Sequence, residues 1–159
     1  MNAEVVTFQA LVFAYHLALA VIVGGGLALG AFAAPALFKE LPRPDAATAF
    51  GEALRRYDGA ALVAAIVAIL TAWIRAVNYE TVDERHWLRF AALVVMAGAT
   101  VYASAYANPV ARQFRRATAG FDDLPEGHPA RREFAKLHAA SRRAGALAVL
   151  AGLVALFLS

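Results

Sequence analysis

The chain contains no cysteine. That excludes a disulfide scaffold, a cysteine-ligated zinc or iron–sulfur site and a cysteine nucleophile. Charge is also scarce. Only 17% of its 159 residues are Asp, Glu, Lys or Arg, against about 25% in ordinary soluble domains. Lysine occurs twice, against thirteen arginines, and Asn, Gln and Met are few. There is no His-Glu-x-x-His motif, and no serine, histidine and aspartate stand at a recognisable catalytic spacing. Gly24-Gly25-Gly26 lacks the following Lys-Ser/Thr of a phosphate loop. The pairs Asp83-Glu84 and Asp122-Asp123 read as loop charges with no catalytic role. These absences argue against a soluble enzyme.

What is abundant is apolar. The hydrophobic fraction is 61% and the mean hydropathy is +0.56. The excess is grouped: 34 uncharged residues separate Glu4 from Lys39, and 22 separate Arg89 from Arg112. An uncharged apolar run of about 18 residues suffices for a membrane span. Four spans are expected, at about 5–38, 59–77, 87–107 and 144–159. The second and fourth have 16 uncharged residues each, and reach across if Arg75, Arg142 and Arg143 snorkel to the interface. The first is not expected to be a cleavable signal peptide, because its start carries Glu4 and no base, and its apolar run is too long.

The connections differ in kind. Leu41-Pro42-Arg43-Pro44 cannot lie mid-helix, because each proline removes a donor. Asp45 then offers an N-cap, and Phe50, Leu54 and Tyr57 recur at helical spacing. Residues 78–86 form a short polar turn, and Asn108-Pro109 closes span three. Gly120 and Pro125 to Pro129 mark a loop, after which Phe134 and Leu137 return to helical spacing. The expected fold is an all-α integral membrane protein: a single domain, 1–159, forming an up-down-up-down four-helix bundle. Amphipathic extensions at about 45–58 and 130–143 overhang one side. That side holds twelve of the fifteen Lys and Arg residues. The positive-inside rule makes it cytoplasmic, with both termini outside, in a cell (inner) membrane.

Small residues recur every fourth position: Ala14, Ala18, Gly26, Gly30 and Ala34; Ala60, Ala64, Ala68, Ala72 and Ala76; Ala140, Ala144, Ala148 and Gly152. In lipid, helices associate through such close backbone contacts. A tight bundle without a wide pore is expected. Polar side chains within the spans are few and expensive, so each is a site candidate. His16 faces inward. It is either a neutral histidine bonded to a neighbouring helix or, more sharply, a metal or haem ligand. His138 and Ser141 stand one turn apart before span four, and Arg112 follows Asn108-Pro109 by a turn.

In this order the elements resemble the domain-of-unknown-function 4149 family, which includes transmembrane protein 205. The carrying residues are His16; Ala34-Pro35-Ala36-Leu37-Phe38 with Leu41-Pro42; Asn108-Pro109 with Arg112; and Phe134, His138 and Ser141. The chain departs from the family where a tryptophan-glycine pair is usual, at Gly24-Gly25, and where an asparagine often stands, at Gly145. The resemblance implies a four-span membrane protein without an established reaction. Its animal member's link to platinum resistance implies handling of metals or toxic compounds. An early helix-one histidine is also similar to that of copper resistance protein D and of haem-dependent membrane protoporphyrinogen oxidases.

Three functions are therefore expected to compete. The leading one is binding of a small ligand, ion or lipid headgroup at a cytoplasmic-side cluster of Pro35, Tyr57, Asn108, Arg112, His138 and Ser141. The second is a haem b redox protein, with His16 and His138 as metal-ligand candidates. The third is a structural subunit of a larger membrane complex. A transporter is a variant of the first and would need a dimer at this length. The expected partners are membrane lipids and a homodimer or larger membrane complex, with no nucleic acid.

Overall fold

A computed structural model describes residues 2–125 and 127–159, except for the side chain of Asp122. Among the described residues every regular element is helical. Four long helices dominate: α1 (Ala3–Glu40), α2 (Arg43–Asn78), α3 (Glu84–Ala117) and α4 (Pro129–Phe157). All four are long and apolar enough to cross a membrane. At 1.5 Å per residue they run roughly 43–57 Å, well beyond a bilayer core of about 30 Å.

The local chemistry sets the boundaries. The Asn2 carboxamide oxygen accepts from the Glu4 backbone N–H at the start of α1. Leu41-Pro42 separates α1 from α2, which begins at Arg43, so Asp45 lies in its first turn and is not the cap. Asp83, read from sequence as a loop charge, is the N-cap of α3. It forms a reciprocal capping box with His86. His128 caps α4, its ring accepting from the Ala130 N–H. Asn108-Pro109 does not close the third helix. The chain reaches it through a π-helical segment, Tyr102–Ala107, and continues as α-helix to Ala117.

The helices form a ring. Each packs on the next in sequence and α1 closes on α4, while the diagonal pairs scarcely meet. The core is made of small residues with a few large ones. Ala61, Ala64, Ala65, Ala68 and Ala72 of α2 are buried against Tyr15, Leu19 and Ile22 of α1 and Leu93 and Met96 of α3. Gly25, Gly26 and Gly152 mark the closest approaches, Gly26 lying against Val149. A Cβ on Gly25 would sit 2.6 Å from the Tyr57 ring, and one on Gly152 would sit 2.7 Å from Val23. The Tyr57 ring cannot simply swing aside, because its hydroxyl donates to Ile22 O at 2.8 Å. The small-residue ridges are partly inward. Ala64, Ala68, Ala72 and Ala76 are buried, but Ala60 and Gly30 are exposed.

The large apolar side chains point outward. Phe13, Phe32, Trp73 and Phe157 are 69%, 71%, 61% and 82% exposed. In water this arrangement would forfeit most of the hydrophobic driving force. In a bilayer it is the expected one, with small residues packing the helices together and large ones facing lipid. Trp87 and Tyr106, both exposed on α3, are nineteen residues apart, roughly 28 Å of helix. That matches the separation of the two aromatic belts of a membrane protein.

Candidate functional site

The polar side chains of the bundle gather at its two ends. At the end carrying the connections 41–42 and 118–128, the centre is Asp58 on α2, only 4% exposed. Its Oδ1 accepts from Asn108 Nδ2 at 2.8 Å, and its Oδ2 accepts from Arg112 Nη1 at 2.9 Å. The Ser141 hydroxyl of α4 donates to the other side of the Asn108 carboxamide, at Oδ1. One network thus ties α2, α3 and α4. Geometry explains why Asn108 reaches it. Pro109 offers no N–H, and the backbone before it loosens into the π segment, so that the Asn108 N–H bonds to Ala103 O, five residues back. The same device precedes Pro35, where Ala34 N–H bonds to Leu29 O.

Of the six binding candidates read from sequence, three meet here: Asn108, Arg112 and Ser141. The others are placed differently. Tyr57 is occupied with the Ile22 carbonyl and the glycine face of α1. His138 is exposed, its ring stacked on Phe134, and Pro35 is exposed on α1. Asp58 was missed. In the sequence it is one acid beside Tyr57 at the edge of a span, and nothing local distinguishes it from a solvated charge.

Arg112 also faces outward. It lines a cleft of about 540 Å³ between the overhanging part of α2 and the end of α3. Arg55, Arg112, Arg115 and Arg116 contribute guanidinium groups, and Thr48, Gly51, Thr118 and Gly120 contribute small polar or backbone surface. Glu52 and Asp123 are the carboxylates in the lining. Glu52 is held by Arg55 and Arg56 at 2.7 and 2.9 Å.

The opposite end holds a second cluster that sequence reasoning did not identify. Glu80, in the turn between α2 and α3, accepts from Arg75 at 2.5 Å and Arg89 at 2.6 Å. His86 Nε2 lies 3.1 Å from its Oε2. Arg75 does not snorkel as expected. It is 5% exposed and Arg89 is 2% exposed. Both guanidinium groups lie over the buried Tyr15 ring, at 5.3 and 6.0 Å, and the Tyr15 hydroxyl donates to Ala155 O. Burial alone would raise the Glu80 carboxyl. The hydrogen bonds and charges of Arg89 and Arg75 outweigh it and hold the group below the usual carboxylate range. Hydrogen bonds from the His86 ring and backbone likewise lower Asp83.

The two histidines considered as metal ligands are far apart. His16 Nδ1 donates to Val12 O at 2.7 Å, and its Nε2 lies 3.1 Å from Ser159 Oγ. His138 precedes Ser159 by twenty-one residues, roughly 30 Å of α4. One haem cannot take both as axial ligands. Among the described residues, no three His, Asp or Glu side chains converge as a metal site.

A family model described as a domain of unknown function, DUF4149, matches residues 17–119. The chain belongs to the DUF4149 family. The match covers most of α1, all of α2 and α3, and therefore Asp58, Asn108 and Arg112. It leaves out α4, with His138 and Ser141, and begins one residue after His16. No curated protein and no solved structure matches the chain.

Proposed function

We propose that this DUF4149 protein binds a phosphate-bearing anion in the arginine-lined cleft beside Asp58. The anion is a phospholipid headgroup of the cytoplasmic leaflet or a free phosphate. The observation that carries this reading is the position of Arg112. Asp58 anchors one side of its guanidinium inside the bundle, and the rest of the group faces a cleft shared with Arg55, Arg115 and Arg116. Guanidinium groups are suited to phosphate because their forked donors match its oxygens. Basic pockets at the cytoplasmic edge of transmembrane helices suit anionic headgroups. The positive-inside rule favours a cytoplasmic position for this end, since it carries twelve of the fifteen Lys and Arg residues. The sequence points to Pro35, Tyr57, Asn108, Arg112, His138 and Ser141; on the present reading Arg112 meets the anion from the cleft, and Asn108 supports Asp58 behind it.

The test uses the full chain in an uncharged detergent. Native mass spectrometry with phosphatidylglycerol and phosphatidylcholine separates headgroup charge from acyl-chain binding, and thermal shifts with inorganic phosphate report the free anion. Retention of phosphatidylglycerol, or stabilisation by phosphate, should fall about tenfold in an Arg55→Ala/Arg116→Ala variant. It should be unchanged in His138→Ala, which lies outside the cleft. Equal retention of both lipids together with no response to phosphate overturns the proposal.

A further inference from the structure

Two buried arginines share a single buried carboxylate at the end of the bundle remote from Asp58. Arg75 and Arg89 each give one nitrogen to Glu80. Among the described residues, no other carboxylate comes within 4 Å of either guanidinium. Arg75 Nε and Nη1 and Arg89 Nε are buried without any hydrogen-bond partner. The rings of Phe8, Tyr15 and Phe90 cover part of these groups. Stacking on rings still leaves the excess positive charge without a counter-ion. Glu80 has no spare capacity, since Arg75, Arg89 and His86 already surround it. The nearby Asp83 is engaged by His86. Two buried cations sharing one acid are costly, and an added anion would offset that cost.

A cleft stands open beside it. Arg75, Arg89, Glu80 and His86 line a space of about 330 Å³ together with Thr81, Asp83, Ser159 and the exposed Arg85. That volume is at the small end of ligand pockets. The single contact from Arg85 back to the bundle is a long one, 3.4 Å to Phe157 O, so its guanidinium is available to close over a ligand. Along α2 the cleft is seventeen residues from Asp58, roughly 26 Å. The two clusters thus sit at opposite ends of the bundle, separated by nearly the thickness of a bilayer core.

We propose that this second cleft is a small-oxyanion site on the face opposite the Asp58 cluster, binding a phosphate or carboxylate group between Arg85 and the Arg75–Arg89 pair. The oxyanion comes from a free anion or from a lipid headgroup of that leaflet. The proposal is independent of the arginine cleft beside Asp58 and uses none of its residues.

The decisive variant is Arg85→Ala, because Arg85 is exposed and its removal leaves the buried cluster intact. Thermal shifts of the full chain in uncharged detergent are measured with sodium phosphate and with succinate, against chloride at equal ionic strength. Phosphatidylglycerol and phosphatidylcholine are compared by native mass spectrometry. A specific response to phosphate or succinate that weakens about tenfold in Arg85→Ala, and is unaffected by Arg55→Ala/Arg116→Ala, supports a free-anion site. Selective retention of phosphatidylglycerol with the same mutational pattern supports a headgroup site. Unchanged binding in Arg85→Ala, loss only in Arg55→Ala/Arg116→Ala, or no response beyond chloride overturns the proposal.

Discussion

Glu80 shows how a single residue can hold one end of a membrane protein together. Its carboxylate joins Arg75 at the end of α2 to Arg89 at the start of α3, where both arginines face the rings of α1. Its pKa in the folded protein is lowered. The unfolded chain therefore takes up the proton first as pH falls. The contribution to stability is complete above the ordinary glutamate value of about 4.3, and it is lost as pH falls through the lowered folded-state value. Thermal unfolding in detergent between pH 7 and 3 should show this loss. Glu80→Gln should begin from a lower melting temperature and show a flatter acid limb. An acid limb as steep as that of the unmodified protein would show that Glu80 is not responsible. Asp58 does the corresponding work at the other end, where it gathers an asparagine and an arginine from α3 around one acid of α2.

At the scale of the element, the two helices that run toward the basic end share one irregularity. Each contains a six-residue π segment that ends immediately before an X-Pro pair, Ala28–Ala33 before Ala34-Pro35 and Tyr102–Ala107 before Asn108-Pro109. A π segment accommodates one extra residue and rotates the next stretch of helix by about 100° relative to a regular one. In α3 this rotation brings Asn108 and Arg112 onto Asp58. Replacing Pro109 by alanine restores the missing donor and allows a regular α-helix. Propensity alone predicts a stabilised helix. We expect the reverse, a lower melting temperature for Pro109→Ala, because the regular helix rotates Asn108 away from its acid. A higher melting temperature would show that the π segment is not what aligns the network.

For the whole molecule, the distribution of charge predicts an orientation. The basic end is expected in the cytoplasm, and the end with Glu80 and the termini outside. The absence of cysteine makes this directly measurable. With Thr81→Cys, a membrane-impermeant maleimide should label intact cells. With Ala119→Cys, it should label only after permeabilisation. The reverse pattern would invert the topology and exchange the compartments of the two clefts. The lipid-facing surface also explains why the core can be built of alanine. Outside water, bringing large side chains inward yields little, so the helices gain more from close backbone contact and dispersion than from burying Phe13, Phe32 or Trp73.

Residue order alone is enough to establish a four-helix membrane protein. Uncharged length, a distribution of bases favouring two connections, and the proline-bearing turn at 41–44 are local properties, and they read directly. Asn108, Arg112 and Ser141 are legible in the same way, because polar side chains near the spans are few enough to stand out. Which of these act together is a property of the folded bundle. Asp58 pairs across fifty and fifty-four residues of chain, a relation that no local spacing encodes. Arg75 looks like a snorkelling residue until Glu80, five residues on, turns back to meet it. His138 and Pro35 remain exposed, on faces of α4 and α1 turned away from the network. Hydropathy is carried by each residue alone and survives in the sequence. A site depends on the relative rotation of several helices, and that is set by packing.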